Sequence, residues 1–265
     1  MDWALHMGKV EEVREAMERN VKARRRRRRR AVKGGAGAAI LAALVLWGIP
    51  TYRDTGTTET EPARRESVTL EDGTRADLNA HTSFRTDFRY HRRRVELSQG
   101  EAFFKVAKDP AHPFRIVTPS GTIEVTGTEF NVRLDAQGTE VTLVEGQVRF
   151  TAPGELSATT LRPGDQLVSD GSKIALRTLG ESQLTRVLSW RTGHLALEGL
   201  TLGEAAARFG TYYGKTISVA PELANLPLGG TCSLDDLPGF LAFLKDAFPI
   251  VVREKTDGSL ELGPR

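Results

Sequence analysis

Histidine and cysteine are the residues of this sequence that could bind a metal ion or act as nucleophiles, but their spacing fits neither role. No H-x-H or H-x-x-x-H pair occurs, and Cys232 is the single cysteine. A zinc site therefore lacks its usual ligand spacing. Motifs for a nucleophilic serine, a P-loop and a dinucleotide site are also absent. The sequence predicts no enzyme and no catalytic, cofactor-binding or metal-binding residue. The histidines are His6, His81, His91, His112 and His194.

Two pairs of carboxylates could act as a general acid and a general base: Glu96 with Glu101, and Asp72 with Asp77. Each pair lies in a segment where polar and apolar residues alternate. In a strand, such alternation places every second side chain on the same face. Carboxylates on a solvated strand face are far commoner than catalytic pairs, so the sequence favours the surface interpretation.

The lone cysteine excludes an intrachain disulfide. We expect the Cys232 thiol to be buried as a small apolar group. His112 directly precedes Pro113 and is expected in a loop.

Arginines are concentrated in one segment of the chain. This cluster could dock an acidic partner or polyanionic cell-wall or lipid groups. It could equally be the solvated face of a hairpin, which is the interpretation that the sequence favours. Its members are Arg85, Arg89, Arg92, Arg93 and Arg94, with Phe88 and Tyr90 among them.

An apolar stretch near the N-terminus has the character of a membrane span. Residues 34–49 contain only Gly, Ala, Leu, Ile, Val and Trp, and residues up to 52 can extend them. Sixteen helical residues span about 24 Å at roughly 1.5 Å per residue, somewhat less than the bilayer core of about 30 Å. The sequence predicts a single transmembrane helix at 34–52. A cleaved signal peptide is disfavoured because the charged region begins late and no A-x-A site follows.

Seven consecutive arginines, residues 24–30, set the expected orientation, because Lys and Arg beside a span stay on the cytoplasmic side. Residues 1–33 should therefore be cytoplasmic, in contact with membrane lipid, and everything beyond the span should be periplasmic. The first 33 residues carry a net charge of +7, so the remainder carries −4. The basic pI of about 9.1 thus gives no support to direct nucleic-acid binding.

Residues 1–33 contain an amphipathic helical pattern, with Val10, Val13, Met17 and Val21 on one face. This helix is either a solvated extension of the span or a partner-binding helix. Residues 53–65 are polar, lack periodicity and are predicted to be a linker.

Residues 66–180 are predicted to form an all-β sandwich or roll, because short alternating segments are separated by turn residues without intervening helices. Asp72-Gly73 and Gly100 are expected at hairpin turns, and Gly127 and Gly146 where positive φ or close backbone approach is needed. The predicted core residues are Phe103, Val106, Phe114, Phe130 and Val132. The predicted strands are 68–70, 74–79, 94–98, 101–107, 114–118, 121–127, 129–134, 139–146 and 147–151.

Residues 181–265 are predicted to form a small α+β domain, with the boundary near 180–193. A helix at 181–190 precedes the order β-α-β-β-α-β-β. Thr201 and Glu204 form a capping-box pattern, and Gly214 can end the helix that they begin. The predicted elements are strands at 194–199, 216–221, 228–234, 250–255 and 259–263, and helices at 201–214 and 236–248.

Five motifs occur in one order and spacing: VTLEDGTRADLNAHTSF (68–84), RRVELSQGEAFFKVAKDPAHPFRIVTPSG (93–121), VTGTEFNVR (125–133), VTLVEGQVRF (141–150) and LRPGDQL (161–167). Together they resemble the FecR family of sigma-factor regulators. Residues 194–263 resemble, less specifically, the small C-terminal domain of that family, which is similar to the secretin and TonB-transporter signalling fold. The stretch LALEGLTLGEAAARF (195–209) carries this second likeness.

The resemblance implies an inner-membrane signal transducer. Its cytoplasmic segment would hold an extracytoplasmic-function sigma factor, and its periplasmic part would sense the signalling domain of an outer-membrane TonB-dependent transporter, often one that imports ferric chelates. Family members usually have a longer cytoplasmic segment, so residues 1–33 are either a remnant of it or follow a misassigned start. The alternative is a membrane-anchored periplasmic scaffold without a sigma-factor partner.

Overall fold

The computed structural model describes residues 56–89 and 92–265, which lie in one compact unit. The fold is mainly β, as predicted, with a 13-stranded sheet system in which one long strand belongs to two sheets. This shared strand is β5 (Arg92–Lys105). The other strands of the first sheet are β1 (Thr57–Glu59), β4 (Ser83–Arg89), β6 (Phe114–Thr118), β7 (Gly121–Val125), β10 (Val148–Thr151) and β11 (Thr159–Leu161). Those of the second are β2 (Glu66–Thr69), β3 (Arg75–Leu78), β8 (Glu129–Asp135), β9 (Gly138–Glu145), β12 (Asp165–Ser169) and β13 (Ile174–Thr178).

The two sheets enclose a hydrophobic core centred on Phe104 of β5. Its ring lies 6.3 Å from that of Phe84 and 6.0 Å from that of Phe114, both in the first sheet. On the other side it stacks at 5.7 Å on Phe130 of the second sheet. Offset aromatic pairs at these separations add to the free energy of simple burial. Four of the five residues predicted as core, Val106, Phe114, Phe130 and Val132, lie in this core, which confirms the prediction for them. Phe103 is buried as well, but it packs in a second core.

Strand β5 is where the sequence-based prediction of strands was wrong. Two strands with a hairpin turn at Gly100 were expected, but the chain continues in one direction. Residues before Gly100 pair with β4 and β6, and residues from Gly100 onward pair with β3 and β8. Gly100 has φ of +91°, and this conformation redirects the strand from one sheet into the other. A positive φ in a strand therefore marks a bend here, whereas the sequence alone suggested a reversal.

Other turn predictions are confirmed. Asp72-Gly73 reverses the chain between β2 and β3, with φ of +82° at Gly73. Gly127 and Gly146 have φ of +148° and +91°. Strands β1 and β4 were missed. Strand β1 lies within the predicted linker at 53–65 and pairs with β4. Along β4, Phe84, Thr86 and Phe88 alternate inward as a strand pattern requires. Strands β11 to β13 lay in the predicted β region but were not assigned individually.

The C-terminal region follows the predicted order β-α-β-β-α-β-β, with one additional short helix. The N-cap of its second helix is Thr201, whose hydroxyl accepts from the Glu204 N–H, and Gly214 ends that helix in the left-handed conformation, as expected. The helices are α1 (Glu181–Val187), a 3₁₀ turn (Ser189–Thr192), α2 (Leu202–Tyr213), α3 (Pro221–Ala224) and α4 (Leu237–Ala247). The strands are β14 (His194–Ala196), β15 (Ile217–Val219), β16 (Thr231–Ser233), β17 (Ile250–Glu254) and β18 (Leu260–Pro264).

Strands β15, β18 and β17 form a three-stranded sheet, and β14 pairs with β16. Helices α2 and α4 pack together through Phe209 and Phe240, whose rings stack at 4.1 Å. These elements build a second hydrophobic core. The described residues lie in a single compact unit, so the proposed domain bounds at 66–180 and 181–265 stay a prediction.

Within residues 56–89 and 92–265, no helix is both long and apolar enough to cross a membrane. The predicted span at 34–52 and the predicted amphipathic helix at 10–21 lie outside the described residues.

Gly100 should be much more sensitive to substitution than a glycine of similar conformation in open space. A Cβ at position 100 would lie 2.4 Å from Thr82 Oγ1 and 2.8 Å from the His81 carbonyl oxygen. Gly154 has φ of +78° and nothing within 4 Å, so Gly154→Ala is the matched control. We expect Gly100→Ala to lower the free energy of unfolding by about 1–3 kcal/mol more than the control, measured by urea denaturation. Equal losses would show that strand β5 has room to bend without glycine.

Candidate functional site: the junction between the two cores

The second core is not confined to the C-terminal region. Ala80, from the turn between β3 and β4, and Phe103, from β5, pack within it. Strand β5 is consequently covered on both faces from Gly100 to Phe104. We call this contact zone the junction. Its polar centre is Glu101, which is only 8 % exposed.

Both carboxylate oxygens of Glu101 accept hydrogen bonds from buried amides. Asn131 Nδ2 donates to Oε1 at 2.8 Å, and Asn79 Nδ2 donates to Oε2 at 2.9 Å. The backbone of Glu101 is held as well, because its N–H donates to Thr82 Oγ1 and its carbonyl accepts from the same hydroxyl. A buried carboxylate is costly unless it is satisfied in this way.

The orientation of both amides follows from their other partners. The indole N–H of Trp190 can only donate, and it donates to Asn131 Oδ1 at 3.2 Å. The backbone N–H of Ala80 likewise donates to Asn79 Oδ1 at 2.9 Å. Each asparagine must therefore turn its NH2 group toward Glu101. The result is a continuous chain of hydrogen bonds from Trp190 in the C-terminal region to the strands of the second sheet.

Two arginines lie beside this network. Arg133 forms ion pairs with Asp135 at 2.6 Å and Glu140 at 3.1 Å. Burial alone would lower the pKa of Arg133, but Glu140, Glu101 and Asp135 outweigh it and raise the pKa. Burial and the neighbouring Arg133 lower the pKa of Arg208, which comes from helix α2. The junction therefore holds two guanidinium groups, and only Arg133 has close carboxylate partners.

Burial raises the pKa of Glu101 above its ordinary value, although both arginines and both asparagine amides oppose the rise. Desolvation disfavours the charged form of a carboxyl group, while donated hydrogen bonds favour it. The donated hydrogen bonds thus reduce the desolvation penalty of the charged Glu101 side chain but do not remove it.

Two further arginine contacts lie at the surface, on different sides of the junction. The guanidinium of Arg191 lies 3.8 Å from the centre of the Phe103 ring and forms an ion pair with Asp77 at 2.6 Å. On another side, Arg65 donates to both oxygens of Asp235, at 3.2 and 3.0 Å. A planar guanidinium matches a carboxylate in this two-pronged geometry.

The Arg65 contact also includes Tyr212 at the end of helix α2. Its hydroxyl accepts from Arg65 at 2.8 Å and donates to Asp235 in a short hydrogen bond. Burial and the hydrogen bond to Asp235 raise the pKa of Tyr212. The Ala63 N–H donates to the carbonyl of the same tyrosine at 2.7 Å. Residues 63–65, predicted as linker, are therefore fastened to the C-terminal region.

The surface interpretation of the four carboxylates was wrong for Glu101, which is buried at the junction, and incomplete for two others. Asp72 pairs with the buried Arg93, and Asp77 pairs with Arg191. Glu96 is exposed and pairs with Arg94. The structure does not bring either predicted pair together as an acid and a base. The signal that was missed is the run Glu101–Phe104. In this run Glu101 and Phe103 face away from the first core, and a phenylalanine on that face indicates that it is covered.

The arginine cluster divides in the structure. Arg93 is 7 % exposed, so neither the docking nor the solvated interpretation fits it. It donates to the carbonyls of His112 at 2.7 Å and Ala107 at 2.9 Å and pairs with Asp72 at 3.1 Å. Arg89 and Arg92 are exposed and pair with Asp87. Tyr90 and His91 lie outside the described residues.

Cys232 is half-buried and packs against the second core, so its expected burial is only partial. Burial raises the pKa of its thiol to about 11. His112 lies in the loop between β5 and β6, as expected, and its Nδ1 is 2.7 Å from Asp109. In the part of the chain that the structure describes, no three His, Cys, Asp or Glu side chains meet in a way that could hold a metal ion. The absence of enzyme, metal and cofactor sites stays a prediction.

Three residues of the junction network lie in the motifs that suggested a family: Asn79 in LNA, Glu101 in GEAFFKV and Asn131 in GTEFNV. Residues 56–149 match the family model described as FecR protein. This part of the chain belongs to the FecR family. The prediction from the motifs is thereby confirmed, and Asn79, Glu101 and Asn131 all fall inside the FecR domain.

The fold beyond the FecR domain also has counterparts. Two crystal structures of a candidate anti-sigma factor from Parabacteroides distasonis ATCC 8503, at 1.65 and 2.50 Å resolution, each give a TM-score of 0.67 and 24 % sequence identity. They cover 79 % and 80 % of this chain and 99 % and 100 % of their own. At this identity the likeness shows a shared fold alone. No curated protein sequence matches the chain significantly.

The pH dependence of stability should isolate the buried carboxyl of the FecR domain. Because its pKa is raised from the ordinary 4.5, Glu101 stabilises the fold fully below that pH, and this contribution is lost as pH rises through the raised value. We expect the free energy of unfolding of the unmodified protein, minus that of Glu101→Gln, to fall as pH increases over this window. Chemical denaturation at successive pH values measures it. A difference that rises with pH would mean that the donated hydrogen bonds dominate over burial.

Trp190→Phe should destabilise the junction with the FecR domain. The substitution leaves Asn131 Oδ1 buried without its donor, which costs about 1–3 kcal/mol. Phe243→Leu is the control, since Phe243 is 41 % exposed and should lose well under that amount. Both are measured by urea denaturation. If Trp190→Phe lowered the free energy of unfolding no more than the control does, the indole hydrogen bond would not contribute to stability.

Proposed function

We propose that this protein is an inner-membrane signal transducer that controls an extracytoplasmic-function sigma factor. The observation that carries the proposal is the match of residues 56–149 to the FecR family model. The shared fold with a candidate anti-sigma factor supports it. The sigma factor is the proposed partner on the cytoplasmic side.

The signal in this proposal comes from a TonB-dependent outer-membrane transporter, such as one that imports a ferric chelate. Residues 34–52 span the membrane once, residues 1–33 are cytoplasmic, and the FecR domain and the C-terminal region are periplasmic. The apolar run at 34–49 and the arginines at 24–30 support this topology. The transporter's signalling domain is the proposed periplasmic partner.

The junction gives this relay a physical basis. The C-terminal region is joined to the FecR domain by the buried Glu101 network and by Arg65, close to the segment that leads toward the predicted span. A partner bound to the C-terminal region can change the other end of the relay only if its affinity differs between two states of the protein. Because the junction joins residues 63–65 directly to the C-terminal region, a change of state in that region can alter the position of these residues without a further protein.

The proposal is tested on the cytoplasmic side. Val13→Asp places a charge on the apolar stripe of residues 10–21, and Glu15→Gln changes its polar side as the matched control. We expect the full-length protein and the control to capture a sigma factor from the same cell, and Val13→Asp to lose most of the capture. A reporter gene transcribed by that sigma factor should respond to the imported ligand in the first two strains alone.

Capture of no sigma factor by the full-length protein, together with an unresponsive reporter, would favour the alternative of a periplasmic scaffold. A periplasmic reporter enzyme fused after Arg65 tests the topology separately. If that enzyme were inactive, Arg65 would lie in the cytoplasm and the orientation would be the reverse of the one proposed.

A further inference from the structure

A cavity of about 210 Å³ lies at the junction, between the β8–β9 hairpin and helix α2. Its apolar wall includes Trp190, Leu195 and Leu234, and its polar wall includes Glu101, Arg133 and Arg208. An apolar pocket with a few convergent polar groups is the usual form of a small-molecule site. The size is adequate for a small ligand, since a cavity of about 150 Å³ accommodates benzene.

The carboxylates near this cavity already have partners. Both oxygens of Glu101 accept from asparagine amides. Asp135 and Glu140 pair with the two terminal nitrogens of Arg133. The Nε of Arg133 is nevertheless buried without a hydrogen-bond acceptor. The polar wall therefore has more donors than acceptors.

Arg208 increases this excess of donors. Within the described ranges 56–89 and 92–265, its guanidinium makes no hydrogen bond and no ion pair within 4.0 Å. Its interaction with Glu101, Glu140 and Glu204 is electrostatic attraction at longer range, while burial and Arg133 lower its pKa. A guanidinium group has five N–H donors in a fork that matches a carboxylate. This excess of donors suits a ligand that brings an anionic oxygen pair of its own.

We propose that the junction cavity binds a small molecule that carries one carboxylate on a short apolar body. The carboxylate accepts hydrogen bonds from Arg208 and from Nε of Arg133, and the apolar body packs against Trp190 and Leu195. An open groove of about 830 Å³ adjoins the cavity, since Gly100, Thr211 and residues 134–137 line both, and this groove is the proposed route of access. The site does not depend on the proposed sigma-factor function. A ligand there would contact both cores at once.

Phenylacetate is a suitable probe, and phenylacetamide is its neutral match. Isothermal titration calorimetry with the full-length protein should show saturable binding of phenylacetate, with at least tenfold weaker binding of phenylacetamide, equivalent to about 1.4 kcal/mol. Arg208→Gln should weaken the binding of phenylacetate by a similar factor. Arg115→Gln is the control, because Arg115 is an exposed arginine that pairs with Glu124 away from the junction. It should bind phenylacetate as the unmodified protein does.

A second variant guards against misfolding of Arg208→Gln. Ala207 lines both the cavity and the groove, so Ala207→Phe should block binding while Arg208 stays in place. Circular dichroism and the melting temperature establish that each variant is folded. Failure of phenylacetate to bind the unmodified protein would mean that water alone fills the cavity, and would overturn the proposal. Equal binding of phenylacetate and phenylacetamide would overturn it too, since the arginines would then have no role.

Discussion

The buried carboxylate of Glu101 is the constraint on which the junction depends. Its two oxygens require two donors, and the asparagines that supply them are oriented in turn by Trp190 and by the backbone at Ala80. An apolar residue at position 101 would need none of these partners. Because hydrogen bonds have direction, the network constrains the placement of the C-terminal region on the second sheet more tightly than the packing of Phe103 would alone.

Local signals predicted the C-terminal elements well. Thr201 with Glu204 and the terminal Gly214 define helix α2 through bonds made within a few residues. The alternating segments also predicted core residues such as Phe130 and Val132, because apolar side chains alternate with polar ones there as a strand requires. Such information is present in short stretches of sequence and needs no knowledge of distant contacts.

The junction could not be predicted in the same way, because its residues acquire their roles from positions far along the chain. Gly100 has the sequence context of a hairpin turn, and only the pairing of β5 with two sheets shows that it bends a continuous strand. Glu101 resembles any strand carboxylate in the sequence, because the asparagine that binds it is oriented by Trp190, which lies 89 positions beyond Glu101. Arg93 likewise resembles its exposed neighbours, yet the loop that contains Ala107 and His112 encloses it.

The pairing of Arg65 with Asp235 has a consequence for the order in which the molecule is assembled. These residues are 170 positions apart, so their contact closes most of the described chain into a loop. A ribosome releases Arg65 long before Asp235, and the early strands must remain partly uncovered during that interval. Contacts of such separation also slow the search for the native topology. The apolar face of the second sheet around Phe103 is covered in the folded protein but exposed until the C-terminal region has been made. It is therefore the surface at which a chaperone would protect a newly made chain.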